Sequence, residues 1–140
     1  ISCCIPKEGY SVVESLDPPM APIAKFAAKY LKTFPPLPKA FASWVFGNGM
    51  TRQQKQFLAT TLCRETTTIT REKVSRINMP QCPRHWILLE RDRAISPSRQ
   101  REFINNLGGV SSIESVDGCH DIMIAEPKLL AERLTRISKT

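Results

Sequence analysis

Three textures of apolar and polar positions succeed one another along the chain. It opens on Ile1-Ser-Cys-Cys-Ile5, an apolar run with β-branched ends that is closed by Pro6 and Gly9. That pattern predicts a buried strand followed by a turn. Between residues 17 and 79, Pro18, Pro19, Pro22, Pro35, Pro36 and Pro38 cut the chain into short amphipathic pieces. Ile23, Phe26, Ala27 and Tyr30 recur at helical spacing, as do Phe41 and Val45, with Trp44 one step short. Thr51-Arg-Gln-Gln54 is a capping box, in which the hydroxyl meets the third residue's N–H and the amide reaches back. The helix it opens presents Phe57, Leu58 and Leu62 on one face.

From residue 80 strand and helix patterns alternate. Residues 86–89, Trp-Ile-Leu-Leu, read as a strand. Ser96 can cap a helix and Pro97 is tolerated at its first position. Phe103, Ile104 and Leu107 form that helix's buried stripe, and Gly108-Gly109 suits the left-handed conformation that ends it. Residues 112–116 form the next strand, with imperfect alternation. Glu126-Pro127 opens a last helix whose Leu130, Leu134 and Ile137 are expected to face inward. The chain therefore divides into a strand and turn (1–16), a helical insertion lying over a site as a lid (17–79) and a β-α-β-α segment (80–140). That alternation predicts an α/β fold with a parallel sheet and right-handed crossovers.

A chain that opens inside a buried strand reads as part of a larger α/β domain of ~250 residues, its N-terminal half missing. The strand faces of residues 1–5 and 86–89 should then lack their covering helices and show exposed apolar surface. Composition adds little to this: 41% hydrophobic and 24% charged residues are those of an ordinary globular protein. No apolar stretch approaches the ~18 residues of a membrane span. The five cysteines are odd in number and form no C-x-x-C, which fits free thiols in a reducing, cytoplasmic setting. The net charge of +7 is uneven: residues 51–100 hold ten Lys/Arg against four Asp/Glu, while residues 101–140 hold five against six. A basic middle marks either a solvated lid surface or an anionic partner such as nucleic acid. Only Phe57 interleaves with the cations between 51 and 76, so stacking platforms are not evident and no nucleic-acid partner is expected.

The candidate chemistry lies after the last two strands. Trp86-Ile-Leu-Leu-Glu-Arg-Asp92 is an apolar run ending in an acid; Val116-Asp-Gly-Cys-His120 is a second ending in a loop histidine. In open parallel sheets, catalytic groups gather at the carboxyl ends of strands, so both project over one crevice. Each residue alone has a plain alternative, Asp92 as a helix-entry acid or an ion-pair partner of Arg91 or Arg93, and His120 as a loop residue satisfied by backbone. Together, acid then histidine after consecutive strands is the chain order of Ser…Asp…His hydrolases. The serine should stand upstream in G-x-S-x-G, and no such pentapeptide occurs in these residues. Cys119 beside His120 is a poor dyad, because loop neighbours seldom present both side chains to one atom. Cys82-x-x-His85 lacks a second ligand pair at zinc spacing, and Gly47-Asn-Gly49 lacks the strand and the Lys-Ser/Thr of a phosphate loop.

At this point the sequence resembles a family. Ser2-Cys-Cys-Ile-Pro6-Lys-Glu-Gly9, Phe46-Gly-Asn48, residues 58–62, Arg91-Asp92-Arg-Ala-Ile-Ser-Pro97 with Gln100, and His120-Asp-Ile-Met123-Ile-Ala-Glu-Pro127 resemble, in order and spacing, the methylesterase and hydroxynitrile-lyase-like group of α/β-hydrolases. The resemblance spans nearly the whole chain, as the family's C-terminal part. It implies the C-terminal portion of an α/β-hydrolase parallel sheet carrying a helical lid, with Asp92 orienting the imidazole and His120 transferring protons. It implies a serine-type carboxyl-ester hydrolase acting on a small apolar ester, the serine and oxyanion hole belonging to the missing N-terminal half. No cofactor or metal is implied. The lyases tend to carry Lys after the histidine, whereas Asp121 here is an anion that would repel cyanide, so ester hydrolysis is preferred over lyase activity. Trp44, Phe46 and Met123 are the candidate substrate contacts; they, with Met50, either line an acyl pocket or simply pack the lid. A truncated, non-catalytic binding remnant of the same fold is the alternative for these 140 residues taken alone. Substrate identity and oligomeric state have no signal in the sequence.

Overall fold

A parallel strand pair, with helices on both faces, forms the frame of the second half of the molecule in the computed structural model, which describes residues 1–16 and 20–139. A 3-10 turn at Val12–Ser15 precedes helix α1 (Met20–Tyr30), strand β1 (Thr33–Phe34), α2 (Lys39–Val45), α3 (Arg52–Thr61), β2 (Glu65–Thr66) and α4 (Thr67–Arg71). Then follow β3 (His85–Leu89), α5 (Pro97–Asn106), β4 (Ser112–Val116), α6 (Ile122–Ala125) and α7 (Pro127–Ile137). β3 and β4 pair in parallel, with His85 opposite Ser112 and Leu89 opposite Val116. β1 and β2 form a separate two-residue antiparallel pair, too short for any period to show in the sequence.

The helix limits follow the local chemistry. Thr51 Oγ1 accepts from Gln54 N at 3.3 Å while Gln54 Oε1 accepts from Thr51 N at 2.8 Å, closing the capping box at the start of α3. Ser96 caps α5 with Pro97 behind it, and Gly108 and Gly109 end that helix at φ of 78° and 98°. Side chains alternate across β3, as a strand requires. Trp86 and Leu88 pack with Phe103 and Ile104 of α5, and Ile87 and Leu89 pack with Val116 and Ile122 on the opposite face. Each such fully buried large side chain contributes about 1.5–3 kcal/mol through apolar area removed from water.

Three sequence expectations are corrected. Residues 1–5 join no ladder: Ser2 has a φ of 46°, which breaks the extended backbone, and its hydroxyl donates to the His120 carbonyl instead. Those residues still cover the sheet, with Cys3, Cys4 and Ile5 against the Trp86 side and Ile1 against the Ile87 side. Residues 86–89 are consequently buried on both faces rather than exposed. The helical stripes are also placed differently. α1 packs through small residues, Ala28 being buried, and turns Ile23, Phe26 and Tyr30 outward, while in α7 Leu134 is half exposed. In α7, Leu129, Leu130 and Ile137 carry the apolar contact, and Arg133 is half-buried and donates to Glu114 at 3.3 Å.

Candidate functional site

The register of β3 and β4 sends two loops out of the same end of the sheet. Beyond the ladder, Glu90 N donates to Val116 O at 2.9 Å and Arg91 N to Gly118 O at 3.1 Å, so the loops leave side by side. Asp92 stands three residues past β3, and His120 four past β4. Gly118 permits the close approach: a Cβ there would meet Ile122 Cδ1 at 2.8 Å and Leu89 Cδ2 at 3.4 Å.

The Asp92 side chain is fully buried, and each of its oxygens is occupied. Oδ1 accepts from Ala94 N and Ile95 N at 2.8 Å each, and Oδ2 meets His120 Nδ1 at 2.8 Å. A carboxylate already accepting two backbone N–H bonds is an acceptor toward the ring as well. Nδ1 therefore donates, and in the neutral ring Nε2 carries the lone pair. Among the described residues no partner is recorded for Nε2. His120 lines a cavity of about 500 Å³ whose wall includes Ser2, Cys4, Ile95 and Phe103.

Neighbouring groups fix this loop from several sides. Ser2 Oγ donates to His120 O at 2.6 Å, and Asp121 N donates to Phe46 O at 3.2 Å. The Phe46 ring lies 5.2 Å from the His120 ring. Asn48 Nδ2 donates to Arg91 O at 2.9 Å, and Gln54 Nε2 donates to the Ile124 and Ala125 carbonyls at 2.9 Å each. The acid loop is held by a residue whose role the periodicity did not reveal. Gln100, buried in α5, accepts from Leu89 N at 3.0 Å and donates to Leu89 O and Ile95 O at 2.9 Å each. It ties the strand end to the loop that carries Asp92. Its signal was available: Gln100 is the one polar residue on the stripe it shares with Phe103, Ile104 and Leu107.

Of the other predicted contacts, Phe46 borders a second cavity of about 460 Å³, lined by Ile23, Ala27, Phe34, Pro36, Leu37 and Leu62 among others. Trp44 lines neither cavity; it is exposed, beneath the Arg93 guanidinium at 5.2 Å and against Phe41 at 6.0 Å. Met123 is also exposed, while Met50 is buried in a cluster with Leu58 and Cys119. Burial pushes the Cys119 thiol up, away from a reactive thiolate. Burial likewise raises Asp121, against the opposing pull of His120. His85 Nδ1 pairs with Ser112 Oγ at 2.8 Å at the start of the two strands. Among the described residues no group of three or more His, Cys, Asp or Glu is placed to hold a metal ion.

No protein-family model matches the sequence, and no curated protein matches it. Solved structures do. An extracellular α/β-hydrolase from a Paenibacillus species, described as sharing structural and functional homology with tobacco salicylic acid binding protein 2, superposes with a TM-score of 0.76 at 22% identity. The match covers 94% of this chain and 57% of that one. The fold is that of an α/β-hydrolase. A methylesterase from Arabidopsis matches with a TM-score of 0.70 at 14% identity, over 99% of this chain and 56% of its own. Polyneuridine aldehyde esterase matches with a TM-score of 0.66 at 15% identity, over 95% and 58%. The chain thus spans under two thirds of the length of these α/β-hydrolases and corresponds to their C-terminal part. No described helix is long and apolar enough to cross a membrane.

Proposed function

We propose that Asp92 and His120 are the acid and the base of a serine-type carboxyl-ester hydrolase, and that residues 17–79 form the lid over its acyl site. The observation that carries this is the 2.8 Å contact between His120 Nδ1 and Asp92 Oδ2 at the carboxyl ends of adjacent parallel strands. In this scheme Nε2 removes the proton from a serine Oγ as that oxygen attacks the ester carbonyl. The imidazolium so formed is steadied by Asp92 and returns the proton to the departing alkoxide. Water repeats the sequence on the acyl-enzyme: Nε2 takes its proton, the acid is released and the serine recovers the proton. The serine and its oxyanion-hole donors come from the part of the α/β-hydrolase fold that these residues do not span.

The apolar cavity beside Phe46 favours an ester with an apolar acyl or alcohol group; neither Trp44 nor Met123 lines it. Asp121, an anion next to His120, disfavours cyanohydrin cleavage, in which a negative charge must be held near the base. All five cysteines are free, which fits a reducing, cytoplasmic setting, although one similar structure is of an extracellular protein. A non-catalytic binding role for residues 1–140 alone is favoured by one fact, the lack of G-x-S-x-G in them. Joining residues 1–140 to a segment that carries G-x-S-x-G separates the two. Hydrolysis of p-nitrophenyl acetate and butyrate by the joined protein is expected, with none above background from residues 1–140. A folded joined protein without esterase activity supports the binding role.

A further inference from the structure

The whole of the +7 net charge belongs to one part of the molecule. Residues 17–79 hold ten Lys/Arg against three Asp/Glu, and the remaining residues hold ten of each. On the same segment lies the largest set of exposed apolar side chains. Ile23, Phe26, Tyr30 and Leu31 are exposed by 59%, 68%, 63% and 46%. They alternate along the chain with exposed Lys25, Lys29 and Lys32. In α1, Ile23, Phe26 and Tyr30 fall on one side of the helix at i, i+3 and i+7, and Lys25 and Lys29 fall beside them toward the packed face. Phe26 and Tyr30 touch, their ring centroids 4.7 Å apart, and Lys29 Nζ sits 5.3 Å from the Tyr30 ring. A soluble monomer does not ordinarily leave two aromatics and an isoleucine together on an exposed helix face.

We propose that this segment docks on an anionic lipid surface, with Ile23, Phe26 and Tyr30 of α1 entering the headgroup region and Lys25, Lys29 and Lys32 meeting lipid phosphates. Lysine stems extend along apolar surface while their ammonium groups stay at the polar level, so cations flanking an apolar stripe suit a lipid interface. A protein partner or a nucleic acid would match the charge, but two further features favour lipid. Ile23 belongs both to the exposed stripe and to the wall of the 460 Å³ apolar cavity, so an acyl chain leaving the surface meets an apolar space at once. Beside the lysines, the exposed side chains on α1 are also large and mainly apolar, offering only the Tyr30 hydroxyl for base readout. Docking of this kind is independent of whether Asp92 and His120 catalyse anything.

Co-sedimentation of the protein that joins residues 1–140 to the G-x-S-x-G segment with large unilamellar vesicles tests it, comparing pure phosphatidylcholine with phosphatidylcholine containing phosphatidylserine. Binding to the anionic vesicles, weakened by salt, is expected, with little binding to the neutral ones. Lys25→Gln, Lys29→Gln and Lys32→Gln should each weaken it by about fivefold. Ile23→Ser with Phe26→Ser should weaken it by at least tenfold while leaving the far-ultraviolet circular dichroism unchanged, since both side chains are exposed. No binding to anionic vesicles overturns the proposal, as does binding that the apolar pair does not affect. So does concentration-dependent self-association that the same Ser substitutions abolish in the absence of lipid, because a second copy then covers this face. Tight binding to a DNA or RNA oligonucleotide with none to vesicles would assign the charge to nucleic acid.

Discussion

Asp92 has three hydrogen-bond partners for one carboxylate, and two of them are backbone N–H groups two and three residues ahead. The acid is therefore placed by its own loop, and the histidine is placed by the acid. The meeting of Asp92 with His120 was legible in the sequence, because acid and histidine follow consecutive apolar runs; the loop N–H groups of Ala94 and Ile95 that hold Asp92 were not. Ser2 was not legible as a partner of the His120 loop: a strand pattern gives no hint that one of its residues takes a left-handed φ. Nearby titratable groups give two expected outcomes. Burial lifts the Cys4 thiol to about 11, so in the folded chain Cys4 and buried Cys119 should react with iodoacetamide far more slowly at pH 8.5 than exposed Cys63 and Cys82. Mass spectrometry of timed quenches reads the order, and early modification of Cys119 would contradict its burial. Asp121 is raised above its ordinary value. As pH rises from about 4, the unfolded chain loses this proton first, so the folded state holds more protons and stability declines until the raised value is passed. Asp121→Asn removes that decline. Its urea midpoint should gain on the wild type between pH 4 and 7, and an unchanged difference across that window would contradict the shift.

Among the elements, β3, α5, β4, α7 and the α3 cap lie where periodicity and capping residues place them. The failures among the helical stripes and the short strands have separate causes. Ile23, Phe26 and Tyr30 have a correct helical period, but a period does not say which face a helix buries when its small residues pack closer. The β1–β2 pair spans two residues per strand and carries no pattern at all. Gln100 is the element-scale device that joins β3 to the acid loop, offering Leu89 both a donor and an acceptor as a neighbouring strand would. Replacing it with Leu leaves the buried Leu89 N–H without that partner, at roughly 1–3 kcal/mol for an unsatisfied group, while the Leu89 carbonyl keeps Asp92 N at 3.4 Å. A fall of about 1–3 kcal/mol in unfolding free energy is expected by urea denaturation of the protein that joins residues 1–140 to the G-x-S-x-G segment. A loss below about 0.5 kcal/mol would show that water or a backbone shift replaces the amide. Thr51→Ala should cost about 1 kcal/mol through the lost cap of α3, and it loosens the helix whose Gln54 holds the carbonyls of Ile124 and Ala125.

The whole molecule combines a well-buried parallel pair with a cationic helical segment that shows apolar side chains to solvent. A two-stranded sheet covered by residues 1–5, α5, α6 and α7 is a small core for 140 residues. Residues 1–140 alone should therefore unfold in urea with low cooperativity and tend to self-associate. A sharp two-state transition of a monomer would instead identify a self-sufficient domain. In the proposed function a nucleophile must meet His120 Nε2 across the cavity that His120 lines. The most direct measurement is kcat for short acyl esters in the protein that joins residues 1–140 to the G-x-S-x-G segment, compared with its His120→Ala variant. A loss of several orders of magnitude is expected, with Asp92→Asn losing on the order of 10⁴-fold because the imidazole then takes the wrong tautomer. Turnover unchanged by His120→Ala, or turnover by residues 1–140 alone that Cys119→Ala abolishes, would contradict the assignment of acid and base.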